Sequence, residues 1–264
     1  MTAARVDSFR LKRSDEVELM RVAGKILGEC LAHLAASVRA GITTIELDAI
    51  AEKFIRDHGC IPGFLGYQDF PNSLCVSVND EVVHGIPGQR RIAEGDLVSL
   101  DCGLIYQGWW ADSGLSVACG EASPEVRRLI DVTREALDRG IAAARPRNHI
   151  GDIGHAVQSY VESHGYSVVR QYVGHGIGRD MHELPQVPNY GTPGSGNLLK
   201  PGYVLAIEPM VNAGRAETRV LDDDWTVVTA DGKLSCYFEH TVAITSEGPQ
   251  VLTLRPEPAV TVAS

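Results

Sequence analysis

The sequence predicts an α+β domain in which one unit, a helix pair followed by strands, is used twice. Three observations lead there. Two helix-like stretches precede strand-like runs in each half of the chain. No regular strand–helix–strand alternation occurs of the kind that builds a parallel sheet. Two strings, GDLVSLD (95–101) and GYVLAIE (202–208), each set a glycine six residues ahead of an acid that closes an apolar run.

The elements follow in order. Ser14 with Asp15 and Glu16 starts a helix, its acids near the positive end of the dipole. Val17, Met20, Ala23, Leu27, Leu31 and Leu34 then recur at helical spacing. Thr43 and Glu46 form a capping box for a second helix, which stops near Gly59. Strand-like runs follow at 74–78, 96–101 and 115–119. The order then returns. Ser123-Pro124-Glu125 opens a helix, residues 150–164 make another that ends at Gly165, and runs at 203–207, 225–229 and 241–245 read as strands. Proline and glycine over 191–202 mark a long loop, expected at the mouth of a site.

Composition narrows the function. A hydrophobic fraction of 44% and a charged fraction of 22% suit a soluble globular protein. A net charge of −10 without a basic run argues against nucleic acid or an anionic membrane as partner. No apolar stretch approaches the roughly twenty residues that span a bilayer, and the N-terminus lacks a signal-peptide core, so the expected location is the cytoplasm. The six cysteines form no Cys-x-x-Cys pair, which excludes a thiolate zinc knuckle and a disulfide framework.

The segment GHGIGRDMH (174–182) reads in one of three ways: a phosphate-cradling loop, a pair of surface histidines, or two imidazoles aimed at a site. Pro185 and Pro188 follow too soon for the long helix a dinucleotide loop opens. The repeat supplies what the histidines could face. Asp101 and Glu208 close apolar runs, and Asp112 and Glu239 open DSGLSVA and EHTVAIT. A lone acid at the end of a strand is an ordinary turn residue, but four in matching places point to one shared pocket. Four carboxylates there need cations to offset their repulsion. With His175 they form an oxygen-rich set suited to two divalent ions of the manganese, iron, cobalt or zinc kind, which activate water and polarise a carbonyl.

SVNDEVVHGIP (77–87), the acids of SLDCG and WADSG, GHGIGRDMHELPQVPNY (174–190), IEPM (207–210) and FEHT (238–241) together resemble the methionine aminopeptidases of type I, in the short bacterial form. The resemblance extends over roughly residues 9–254. It implies the pita-bread fold, with two pseudo-symmetric halves (9–119 and 123–254), a central antiparallel sheet and outer helices, in a single catalytic domain across 1–264. It implies that Asp101, Asp112, His175, Glu208 and Glu239 bind two ions, that Asp112 and Glu239 bridge them, and that Glu208 accepts the proton of the attacking water. By the same resemblance, His84 and His182 are expected to contact substrate as non-ligand histidines, and Phe64, Tyr67, Phe70, Cys75, Met181 and Trp225 to wall a methionine pocket. The implied substrates are nascent polypeptide N-termini with a small second residue, met near the ribosome exit by a monomer. The chain's own Met1-Thr2 start fits that rule.

Several residues depart from the family pattern. Phe64, Phe70 and Met181 stand where cysteine, tyrosine and phenylalanine are usual; Cys102-Gly103 follow Asp101 where x-Thr is usual; Ser113 replaces threonine and Tyr237 replaces glutamine. Two other enzymes and one binding role compete: a proline-directed peptidase of the same fold, a metal-dependent phosphoesterase, and a non-catalytic binding module at the ribosome. Glu239-His240-Thr241, where proline-directed relatives carry Glu-Asp, and the complete set of five ligands favour the aminopeptidase.

Overall fold

The structure, a computed structural model, describes residues 10–256; the Met1-Thr2 start lies outside them. The first half opens with α1 (Ser14–Ser37) and α2 (Thr44–Asp57). Glu16 reaches back to the Arg13 amide (2.9 Å) at the first helix, and Glu46 to the Thr43 amide (2.7 Å) at the second. Asp48 on α2 accepts from the Ser73 and Leu74 amides at 2.8 and 3.0 Å, which docks the helix on the strand that follows.

That half continues with β1 (Ile61–Pro62), β2 (Leu74–Val78), β3 (Glu81–Val83), β4 (Leu97–Tyr106) and β5 (Trp109–Ala118). The second half repeats the plan. Ser123 caps α3 (Pro124–Ala143) through the Val126 amide, α4 (Ile150–Ser163) follows, and β6 (Ser167–Val168), β7 (Gly174–Gly176), β8 (Glu183–Val187), β9 (Val204–Ile207), β10 (Met210–Asn212), β11 (Thr218–Val220), β12 (Val227–Thr229), β13 (Ser235–Tyr237), β14 (His240–Thr245) and β15 (Gly248–Val251) complete it. Each half thus runs as a helix pair followed by strands, the α+β plan expected from the sequence.

Every pairing between these strands is antiparallel. β5, β4 and β2 form one ladder, and β15-β14-β9-β7-β8 another. An isolated bridge between Gly114 and Glu239 joins the two halves, and β12 of the second half pairs with β3 of the first. The helices cover the sheets, and Leu27, Leu31 and Leu34 of α1 share one core with Leu100 and Leu104 of β4 and with Leu205 and Ile207 of β9.

Two expectations need correction. The runs at 96–101 and 115–119 extend well beyond their expected bounds, because Asp101 and Asp112 sit inside β4 and β5 rather than at surface turns. A buried acid can continue a strand where the site compensates its charge. The 191–202 loop does not border the site's mouth. It folds over the start of α4, where Gly151 donates to the Ser195 carbonyl (2.9 Å) and Ile150 to that of Asn197 (3.0 Å).

Candidate metal centre and its cleft

Register explains why the acids converge. In the β4–β5 ladder Asp101 pairs with Gly114 and Gly103 with Asp112. Asp101 and Asp112 are therefore diagonal neighbours on one face, within reach of each other. In the second half His175 pairs with Ala206, two residues before Glu208, so both side chains leave the same face. Glu208 directly follows β9, Glu239 directly precedes β14, and Ile207 pairs with His240 beside them. The Gly114–Glu239 bridge then closes one half on the other.

The resulting group is tight. Ligand atoms of Asp112, His175 and Glu239 lie within 4.8 Å of one another. His175 Nε2 is 3.6 Å from Glu208 Oε1 and 3.9 Å from Asp112 Oδ2. Its Nδ1 lies 2.9 Å from the Gly176 carbonyl. That contact calls for a proton on Nδ1 and leaves the Nε2 lone pair turned to the carboxylates.

Electrostatics show what the group requires. Burial, and then the charge of neighbouring acids, raises the Asp101, Asp112, Glu208 and Glu239 carboxyls well above the usual range. Burial first, and His182 second, lowers the His175 imidazole to about 3, so it stays neutral. Asp101 Oδ1, Asp112 Oδ1 and Glu239 Oε1 are buried with no hydrogen-bond partner. Buried carboxylate oxygens without partners are costly, and a divalent cation is the partner that this donor set fits.

The group opens into a cleft of about 350 Å³. Phe64, Tyr67, Phe70, Cys75, His84, Met181, His182 and Trp225 all line it. Phe64, Phe70, Cys75 and Met181 pack as one apolar cluster, with Trp225 edge-on to Phe70 at 5.1 Å. His182 lies against His175, ring centroids 4.3 Å apart, and the Tyr67 hydroxyl lies 2.8 Å from His182 Nδ1. Tyr67 sits on a turn where Gln68 and Asp69 both take positive φ (49° and 70°), a conformation that stores strain. His84 also has positive φ (60°), and burial, followed by His182, lowers its imidazole to about 4.

Two sequence departures turn out to be one packing solution. A Cβ at Gly103 would meet Phe64 Cε1 at 2.5 Å, so the large ring at 64 needs the missing side chain at 103. Sequence reasoning missed Val83, Tyr172 and Met210 in the cleft wall. It also missed Arg255, which donates to the Gly114 and Glu239 carbonyls at 2.5 and 3.0 Å from behind the site. Nothing in a lone arginine near the C-terminal end signals that role. Lys12 was missed too; its ammonium meets Glu183, beside His182, at 2.6 Å with both side chains buried.

Known proteins resemble this chain over most of its length. The profile of metallopeptidase family M24 matches residues 18–246. A methionine aminopeptidase of Clostridium perfringens is 54% identical over 244 residues, covering 92% of this chain and 98% of that one. Methionine aminopeptidase 1 of Bacillus subtilis is 50% identical over 242 residues, with 92% and 98% covered. The crystal structure of methionine aminopeptidase from Rickettsia prowazekii superposes with a TM-score of 0.92 at 42% identity, over 94% of this chain and all (100%) of that one.

Proposed function

This chain belongs to the methionine aminopeptidases of metallopeptidase family M24, and from that premise we propose that it removes the initiator methionine from nascent proteins whose second residue is small. One observation carries the reading at the site. Buried carboxylate oxygens without partners stand at the end of a cleft walled by Phe64, Phe70, Cys75, Met181 and Trp225. An unbranched thioether side chain suits such walls through dispersion and sulfur–aromatic contact.

Asp101, Asp112, His175, Glu208 and Glu239 would hold two divalent ions, with Asp112 and Glu239 central to the group. Manganese, iron, cobalt and zinc all suit the donor set. Bound there, the ions supply Lewis acidity and lower the pKa of water. The chain's residues do the rest. Glu208, facing His175 from just beyond β9, accepts the proton of the attacking water. His84 and His182, both kept neutral by burial, donate to the scissile carbonyl oxygen as charge develops on it. The apolar walls fix the methionine side chain and so place the first peptide bond beside the acids.

All five ligands come from one chain, which supports action as a monomer and a single catalytic domain. The substrate class places the enzyme in the cytoplasm, near the ribosome exit. No helix among the described residues is long and apolar enough to cross a membrane. Steady-state cleavage of Met-Ala-Ser and Xaa-Pro peptides by protein loaded anaerobically with Mn or Fe tests the proposal. Hydrolysis of the methionyl peptide alone is expected, and preference for Xaa-Pro would overturn the substrate assignment.

A further inference from the structure

Tyr237 is a buried phenol in the wall of the cleft, two residues before Glu239. Its hydroxyl donates to Glu239 Oε2 at 2.7 Å, while Glu239 Oε1 has no partner. The backbone on either side is held as well: the Tyr237 amide donates to Ser116 Oγ (3.0 Å), which in turn donates to the Tyr237 carbonyl (2.8 Å). The ring rests on Gly114, the residue paired with Asp101 in the β4–β5 ladder. A Cβ at 114 would overlap Tyr237 Cε1 outright and come within 2.8 Å of Cδ1. A side chain at 114 and this ring at 237 therefore exclude one another.

We propose that Tyr237 is a positioning residue for the metal centre and that Gly114 is the space that admits it. A carboxylate offers about four lone-pair positions over its two oxygens. By occupying one position on Oε2, the phenol sets the plane of the Glu239 carboxylate and leaves Oε1 without a protein partner. The Gly114–Glu239 bridge fixes the main chain of the same unit, so ring, bridge and carboxylate move together. Groups that orient a ligand in this way are worth about 10- to 100-fold in metal affinity. The proposal rests on the metal-site reading above and extends it to a residue that ligates nothing itself.

Calorimetric titration of the metal-stripped full chain with Mn²⁺ tests it. Tyr237→Phe is expected to weaken Mn²⁺ binding by about tenfold or more, with the melting temperature of the metal-free protein nearly unchanged. Tyr237→Gln keeps a side-chain donor and should recover most of that loss. Gly114→Ala, which displaces the ring, should weaken binding as Tyr237→Phe does. The double variant Gly114→Ala/Tyr237→Gln should bind more tightly than Gly114→Ala alone, because the clash is gone. Wild-type affinity in Tyr237→Phe would overturn the proposal, as would additive losses in the double variant. If Tyr237→Phe does not fold, Gly114→Ala alone and combined with Tyr237→Gln decides by the same criterion. Failure of the wild type to bind Mn²⁺ at all would instead remove the metal-site reading underneath.

Discussion

Replacing Tyr67 by phenylalanine removes one hydroxyl and leaves the ring that borders the cleft. That hydroxyl lies 2.8 Å from His182 Nδ1. With the phenol donating, the His182 proton stays on Nε2, the nitrogen free to serve a substrate carbonyl. A hydrogen bond of this kind is worth about 1–1.5 kcal/mol net, which corresponds to roughly a 5- to 13-fold fall in turnover. The ring's edge contact with Trp110, at a centroid distance of 5.7 Å, survives the change. KM should therefore stay within about twofold, since the pocket keeps its shape. His182→Ala should cost more, about 10²- to 10³-fold in kcat, the scale of a lost oxyanion donor. The assay is a double-mutant cycle on a methionyl tripeptide at saturating metal. Once His182 is gone, Tyr67→Phe should add less than about 0.5 kcal/mol. An undiminished Tyr67→Phe effect in the His182→Ala background would refute the reasoning, since the hydroxyl would then act on something other than that imidazole.

Glu208→Gln should lower kcat by about 10²- to 10⁴-fold with a smaller change in KM, and stopped-flow separation of binding from chemistry checks the split. Exhaustive chelation should abolish activity and added Mn²⁺ should restore it; full activity in the chelated protein would exclude the mechanism. Metal affinity should rise with pH. Burial and the neighbouring acids raise the four carboxyls, so a cation that binds their ionised forms competes with protons, whereas His175, lowered to about 3, has none to release from Nε2. Titrations in buffers of different ionisation enthalpy should register proton release on binding, and its absence would count against this pH dependence. Gly103→Ala should lower thermal stability by about 1–3 kcal/mol, because the new methyl meets the Phe64 ring; combining it with Phe64→Cys should restore much of the loss.

Much of the site was readable before any coordinates, because chemistry constrains it. Acids repeated at matching places in two halves have few structural uses, and the structure groups Asp112, Glu208 and Glu239 around His175, with Asp101 diagonal to Asp112 in the β4–β5 ladder and lining the same cleft. Helix starts were readable for a local reason, since Thr43 with Glu46 and Ser123 with Pro124 satisfy amides within one turn. The short strands were not. β7 and β10 have three residues each, too few for a period to emerge, and exist because neighbouring strands supply their partners. The extension of β4 and β5 past Asp101 and Asp112 was hidden for the opposite reason. Local polarity there signals a turn, and only the assembled site makes burial of the acid tolerable. Contacts such as Arg255 with Gly114, or Lys12 with Glu183, link residues 141 and 171 positions apart and leave no local trace.

The single bridge between Gly114 and Glu239 also bears on the order of events as the chain matures. Asp101 and Asp112 leave the ribosome well before Glu208 and Glu239, yet no ion can be gripped by both pairs until the later segment has folded onto the earlier one. On the ligand set proposed above, metal capture would come late in assembly and act as a checkpoint. A half-made molecule would then lack the means to cut the peptides around it, and hydrolytic competence would arrive only when both halves had closed on each other.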